Sequence, residues 1–419
     1  MPENLIRYNH IPVKKSTFKA GLAAQVHRWF RLTPSYGPDL VHEMIREIEC
    51  QKDEVILDPF SGASTTLIES KLEGYDCYGF EINPLLHWVG KTSTNWGLDI
   101  NQLEKEKLEI VKQFTQQVKS ITFDNLDENN LFVPPIHNPL RWWRKDVITE
   151  LLILKRAIIE CSSSEENKDF FLLCIAGVLV PNLTNVTLGK LQLHFIDRDS
   201  HEINVLSTFI SHLDSMLEDL CNINSLHLAS ESKIFHTNSV TLEGVSNIKP
   251  INCVITSPPY PNRYSYVWNT RPHLYFLDFF TTPKEASALD KETIGGTWGT
   301  ATSMLGKGVI EPTFDCLKGC AWKIVEDIRT EDNLMANYVM KYFNLLAEQI
   351  KAMDSLPQKD LRCAYVVGNS RIKKRYIETD VILGDIFKGL GYKLKSIDRI
   401  RKRNSGKDLY ESIVYAEKK

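Results

Sequence analysis

The stretch from residue 54 to residue 81 restricts the architecture more than any other part of the chain. A short apolar run at residues 54–57 stops at Asp58, and a turn containing Gly62 follows. Residues 65–72 then carry helical spacing, and residues 75–80 read as a second strand ending at Glu81. Strand, turn, helix, strand is the repeating unit of a parallel, doubly wound sheet, because parallel neighbours need a crossover and a helix supplies it. Just upstream, residues 38–50 set Leu40, Val41, Met44, Ile45 and Ile48 at helical spacing, with Asp39 as the expected N-cap behind Pro38. The fold class expected is α/β.

Beyond residue 95 the pattern changes. Residues 103–118, 142–160 and 170–180 read as helices, joined by polar loops at 124–130 and 162–168, so residues 95–232 form a mainly helical insertion. Sheet character returns at residues 253–256 and is stopped by the consecutive prolines of Ser257-Pro258-Pro259-Tyr260. Residues 334–353 are a helix, 363–367 a strand ended by Gly368, and 381–390 a helix closed by Gly391. Residues 392–399 and 411–416 form an antiparallel hairpin at the sheet edge. The expected division is 1–94 and 233–419 as two halves of one domain around the insertion at 95–232. Within the second half, 281–332 is a lid or target-recognition segment whose Gly-rich part, 294–308, lacks helical periodicity.

A net charge of −3 over 419 residues offers no general attraction to a polyanion, so nucleic-acid binding would need local basic surfaces. Residues 27–31, 141–145 and 399–403 interleave Arg or Lys with aromatic or apolar residues, and the aromatic stretch 261–280 adds Arg263, Asn269, Arg271 and His273. Core tryptophans with solvated arginines beside them give the same look. Nine cysteines include no CxxC pair, and Cys316 and Cys320 have no second pair to match, so no metal site is expected. The longest apolar run, 170–180, is too short to span a bilayer, and the first residues are too polar for a secretory signal. A cytoplasmic protein without a membrane partner is expected.

Two motifs carry the chemistry, each at the end of an expected strand. In DPFSGASTT, residues 58–66, small residues let a ligand approach the backbone of a turn that opens a helix. Asp58 can accept hydrogen bonds from an amino group, and Glu81, at the next strand end, can hold two ribose hydroxyls. The glycines do not follow GxGxxG, and no Gly-Lys-Ser/Thr follows, which favours a methionine-nucleoside pocket over a dinucleotide or phosphate cradle. In TSPPY, residues 256–260, the Ser257 hydroxyl and the Pro258 carbonyl are acceptors for an amino group, Pro258 and Pro259 stiffen the loop, and Tyr260 offers a ring for stacking. Read alone, the first motif is also a capped Asp-Pro turn, and the second a strand-ending turn with a core aromatic.

Together DPFSGASTT and TSPPY resemble the cofactor and catalytic motifs of the amino-methyltransferase family of DNA methylases, most closely its cytosine-N4 branch. Looser similarities are HRWFRLTPSYGPDLV (residues 27–41), FEINP (80–84), HTNSV (236–240), VVGNS (366–370) and the terminal segment from Arg403. The resemblance implies a Rossmann-like class I methyltransferase fold using S-adenosylmethionine, bound by Tyr36, Asp58, Pro59, Phe60, Gly62, Thr65, Glu81, Asn238 and Thr256. It also implies catalysis at Ser257, Pro258, Pro259 and Tyr260 on a flipped base of double-stranded DNA, with a cognate restriction endonuclease as companion. Two features depart from the family pattern. A second glycine often stands where Ala63 or Ser64 sits here, and in many cytosine-N4 enzymes the catalytic motif comes first. Adenine N6 as acceptor, an RNA amino-methyltransferase, and a catalytically silent nucleic-acid-binding protein are the alternatives.

Overall fold

A computed structural model describes residues 5–17, 19–33, 35–189, 192–262, 264–296, 305–403 and 408–418. Eight strands form one sheet: β1 (Ile6–Tyr8), β2 (Ile56–Asp58), β3 (Cys77–Glu81), β4 (Ser232–His236), β5 (Ile251–Thr256), β6 (Gln358–Gly368), β7 (Lys393–Lys402) and β8 (Tyr410–Lys418). Their spatial order is β1-β7-β8-β6-β5-β2-β3-β4, and every neighbouring pair is parallel except those made by β8. From β2 the chain winds outward through β3 and β4, then restarts at β5 and winds the other way. The order therefore reverses between β2 and β5, and a ligand crevice opens at the carboxyl ends of strands flanking such a reversal. This is the Rossmann-like doubly wound sheet that the sequence leads one to expect.

Both faces of the sheet are covered at its centre, and the central strands β2 and β5 are accordingly buried at nearly every position rather than at alternate ones. Ile56, Cys253, Ile255, Ala364 and Val366 pack on one face with Leu40, Val41 and Met44 of α1 (Pro38–Glu47). On the other face Leu57, Val254, Cys363, Tyr365 and Val367 pack under later helices. After α1 the helices used below are α2 (Thr65–Leu72), α3 (Pro84–Ser93), α4 (Ile100–Gln117), α5 (Lys145–Cys161), α6 (Glu165–Asn182), α7 (Val205–Asn224), α8 (Tyr266–Phe276), α9 (Asn333–Ala352) and α10 (Thr379–Gly389). The buried side chains on the second face come largely from α9 and α10.

Helices α4 to α7 form a layer with its own core, in which Phe170, Phe171, Phe209 and Leu213 are buried. That core also takes in Trp29 from the N-terminal segment and Leu274 and Phe276 of α8, so three distant parts of the chain share it. Helix α7 is additional to the three expected here, and its buried Val205, Phe209, Leu213, Met216 and Leu220 recur at helical spacing. A small hairpin, Val186–Leu188 with Leu193–Phe195, is likewise additional. The polar stretch at 162–168 is less of a loop than expected, because Ser164 caps α6 by accepting from the Asn167 amide at 3.1 Å.

Two further expectations are corrected. The β7–β8 hairpin forms, but it is not the edge: β8 is flanked by β6 and β7, and the three residues of β1 pair parallel to β7 and cover it. Gly37, not Asp39, is the N-cap of α1, because Pro38 with its fixed φ and missing N–H occupies the first helical position. Within the 281–332 segment, 283–292, 315–320 and 322–329 are helical; the part of the Gly-rich stretch at 297–304 lies outside the described residues, as does Arg263. No helix among the described residues is long and apolar enough to cross a membrane.

Candidate active site

Asp58 is the last residue of β2 and is 1% exposed. Its Oδ1 accepts from Thr256 Oγ1 at 2.5 Å and from the Phe60 amide at 3.0 Å, while Tyr36 donates to Oδ2 at 3.4 Å. The Tyr36 hydroxyl also bonds Thr66 Oγ1, which donates to the Ile255 carbonyl at 3.2 Å. One carboxylate thus ties together the N-terminal segment, the end of β2, the start of α2 and the end of β5. Burial pushes the Asp58 carboxyl up to about 6 in spite of these donors.

The turn after Asp58 is built from left-handed residues, Gly62 at φ 50° and Ser64 at φ 64°. Ser64 stands where a glycine would sit without strain, a conformation that costs a residue with a Cβ roughly 1 kcal/mol or more. Room for the turn comes from β3: a Cβ on Gly79 would lie 2.4 Å from Ser61 Oγ, which donates to the Asp58 carbonyl at 3.1 Å. At the end of β3, Glu81 accepts from the Gly62 amide and the Asn83 amide, each at 2.8 Å and each through a different oxygen. Burial drives its carboxyl up to about 7. Each oxygen keeps acceptor capacity after its amide bond.

Beyond β5, Ser257 Oγ donates to the Val366 carbonyl of β6 at 3.2 Å. Tyr260 donates to Glu411 Oε1 at 2.9 Å, and burial pushes its hydroxyl well above the ordinary tyrosine range. Glu411 in turn takes Arg401 Nε, and the Arg403 guanidinium lies 5.2 Å from the centre of the Tyr260 ring. A Cβ on Gly368 would meet both that ring and that guanidinium at 2.7 Å, so this position has to lack one.

Both motifs open into a single cavity of about 690 Å³. Of the residues expected at the site, Tyr36, Pro59, Phe60, Gly62, Thr65, Glu81, Asn238, Ser257, Pro259 and Tyr260 line it. Asp58, Thr256 and Pro258 do not: they are buried behind the wall, where Asp58 and Thr256 bond each other. Asn238 follows β4 in a turn closed by its own side chain, whose Oδ1 accepts from the Val240 amide at 2.9 Å. The cavity also holds Tyr266, Arg403 and Glu411, which were not assigned to it from sequence. Glu411 had a signal in the hairpin, since antiparallel register sets it opposite Arg401. Tyr266 was one aromatic among many in its stretch.

The basic and aromatic segments turn mostly inward. Arg28 pairs with Asp219 at 2.6 Å, and Trp29 donates to the same carboxylate at 2.8 Å. Arg144 pairs with Asp146 and donates to the carbonyls of Arg198 and His201; Arg399 pairs with Glu378 and Asp380. Trp142 and Trp143 are buried. Of the aromatic stretch 261–280, Tyr264 and Tyr266 line the cavity, whereas Asn269, Arg271 and His273 do not. His273 bonds the Ala176 carbonyl of α6 at 3.1 Å, and Arg271 lies against Trp268 and Trp142, so α8 uses them for packing. Among the described residues one group, Cys50, Glu54 and Cys253, has metal-ligand spacing, but Arg362 holds Glu54 at 2.5 Å and opposes a cation there.

Residues 14–87, which include the aspartate-led turn and Glu81, match the family model described as DNA methylase. The chain is 23% identical over 384 residues to the Type II methyltransferase M.MvaI of Kocuria varians, which is 86% of this chain and 81% of that protein. It is 25% identical over 293 residues to the Type II methyltransferase M.BsoBI of Geobacillus stearothermophilus, covering 65% of this chain and 58% of the relative. Among solved structures, the rRNA methyltransferase aviRa from Streptomyces viridochromogenes overlaps 95% of this chain and 92% of its own, at a TM-score of 0.32 and 9% identity. By sequence, this chain is similar to the DNA methylase family model over residues 14–87 and to Type II methyltransferases over 65–86% of its length.

Proposed function

We propose that this protein is a site-specific DNA methyltransferase that moves a methyl group from S-adenosylmethionine to the exocyclic amino group of a base flipped out of duplex DNA, with cytosine N4 the favoured acceptor. The observation that carries this reading is the shared cavity of about 690 Å³, with Phe60, Gly62 and Glu81 on one side and Ser257, Pro259 and Tyr260 on the other. The donor set suits the cofactor: Glu81 has acceptor capacity for two ribose hydroxyls, and the Gly62 turn admits a ligand close to the backbone. Bound there, S-adenosylmethionine supplies an electrophilic methyl group.

The chain's own residues have to bind and orient. The amino lone pair of a cytosine or adenine is delocalised into the ring, and it becomes a nucleophile when acceptors hold both N–H groups away from the methyl. Ser257 Oγ donates a hydrogen bond to the Val366 carbonyl, and the hydroxyl oxygen has lone pairs with which to accept. Tyr260 lines the wall as a stacking surface for the base. Asp58, buried beneath, holds the end of β5 to the end of β2 through Thr256 and so fixes the distance between the two half-sites. Ser257, where adenine-specific relatives more often carry Asp or Asn, supports cytosine. The helical layer at 95–232 and the 281–332 segment are the proposed target-recognition regions, and pairing with a restriction endonuclease is the proposed setting.

Incubation of the purified protein with labelled cofactor and unmethylated DNA, followed by nucleoside analysis, tests the reading. N4-methylcytosine is the expected product. N6-methyladenine would reassign the acceptor, and label found in RNA alone would overturn the DNA assignment.

A further inference from the structure

Tyr260 is held from two sides by groups that lie far along the chain. Its hydroxyl donates to Glu411 Oε1 at 2.9 Å, and Glu411 is 5% exposed, so little water competes for that bond. The other Glu411 oxygen takes Arg401 Nε, its partner across the β7–β8 hairpin. The Arg403 guanidinium stands 5.2 Å from the ring centre and donates to the Asn369 carbonyl at 2.9 Å. Gly368 makes room for both ring and guanidinium. A stacking ring on a loop has two torsions to lose when a base arrives; here the hydroxyl is anchored and the ring is packed against Arg403 beforehand.

On the reading above, that Tyr260 stacks a flipped base, we propose that Glu411 is a positioning residue: braced by Arg401, it fixes the Tyr260 ring as a preformed platform for the extruded base. The hairpin thereby acts on the catalytic loop through the Tyr260 hydroxyl as well as through the Arg403 contact with the ring. Deleting that hydroxyl and deleting its acceptor then have the same effect.

The test is a double-mutant cycle on the full chain with Tyr260→Phe and Glu411→Gln, using unmethylated genomic DNA. Glutamine presents one acceptor and one donor where Glu411 presents two acceptors, so it cannot receive both Tyr260 and Arg401. Each single variant is expected to lower kcat by about tenfold, the worth of one well-placed hydrogen bond, with cofactor affinity by calorimetry unchanged. The double variant is expected to lose no more than either single one. Tyr260→Phe keeps the packing of the ring, so it remains informative if Glu411→Gln lowers the unfolding midpoint. Additive losses, or an unaltered kcat in either single variant, would overturn the assignment of Glu411. A wild-type protein that binds cofactor yet methylates no DNA would instead overturn the functional reading, and this proposal with it.

Discussion

Glu81 and Asp58 are carboxylates placed where an ionised group is disfavoured. Burial raises Glu81 to about 7 and Asp58 to about 6, from ordinary values of 4.5 and 3.8. A protonated Glu81 cannot accept from two ribose hydroxyls, so cofactor affinity is expected to rise as pH increases through about 7 and to level off above it. In Glu81→Gln the change near pH 7 disappears, and what remains lies lower, near 6, where Asp58 takes up its proton. Titration calorimetry with S-adenosylmethionine between those limits checks this, and an unchanged profile in Glu81→Gln would remove Glu81 from the ribose site. The same raised values mean that both carboxylates oppose folding once ionised, because their folded pKa lies above the unfolded one. Asp58 was legible as a key residue from its motif, but not its position behind the wall. That depends on Thr256 arriving from the other half of the chain, which no local pattern encodes.

Helix α2 is fastened to its surroundings by Glu69. Burial alone would raise that carboxyl, but hydrogen bonds from His27 and His42 outweigh it and hold it at about 2. The bond to Glu69 raises His42 in turn. The two linkages have opposite signs. Glu69, depressed on folding, stabilises above its ordinary 4.5 and loses that contribution as pH falls toward 2. His42, raised on folding, stabilises below its ordinary 6.5 and loses that contribution as pH climbs through its folded value. The clamp is thus at full strength between about pH 4.5 and 6.5. His42→Ala is expected to lose roughly 0.5–1 kcal/mol at pH 6 and less at pH 9 in urea denaturation, given that the group is partly exposed. Equal losses at both values would remove the His42 charge from the account. At this scale, helices with clean spacing such as Thr65–Leu72 were readable to the residue. The edge of the sheet was not, since the three-residue β1 is too short to carry a period.

The helical layer and the sheet share side chains rather than meeting at a seam. Trp29, fully buried in the helical core, lies only seven residues from Tyr36 in the cavity wall and donates to Asp219 of α7. Trp29→Ala is therefore expected to lower stability by about 3–5 kcal/mol and to leave a single unfolding transition in calorimetry. Two separate transitions in the wild type would show the layer to fold by itself. The sequence resolves the helical character of this layer and its place between two half-sites. It is silent on the shared core, because contacts between Trp29, Phe170 and Phe276 join segments whose spacing carries no information about one another. The 198-residue separation of Asp58 from Thr256 bears on how such a protein changes over generations. The entropy of closing a loop that long grows only with the logarithm of its length, by about 0.6 kcal/mol per doubling. Loops of the helical layer at 95–232, within that span, can therefore lengthen or shorten with little thermodynamic resistance, provided that the packing around Trp29 is kept and β3 and β4 still reach the sheet; under the proposed function, new DNA targets would be sampled there while the reaction chamber stays intact.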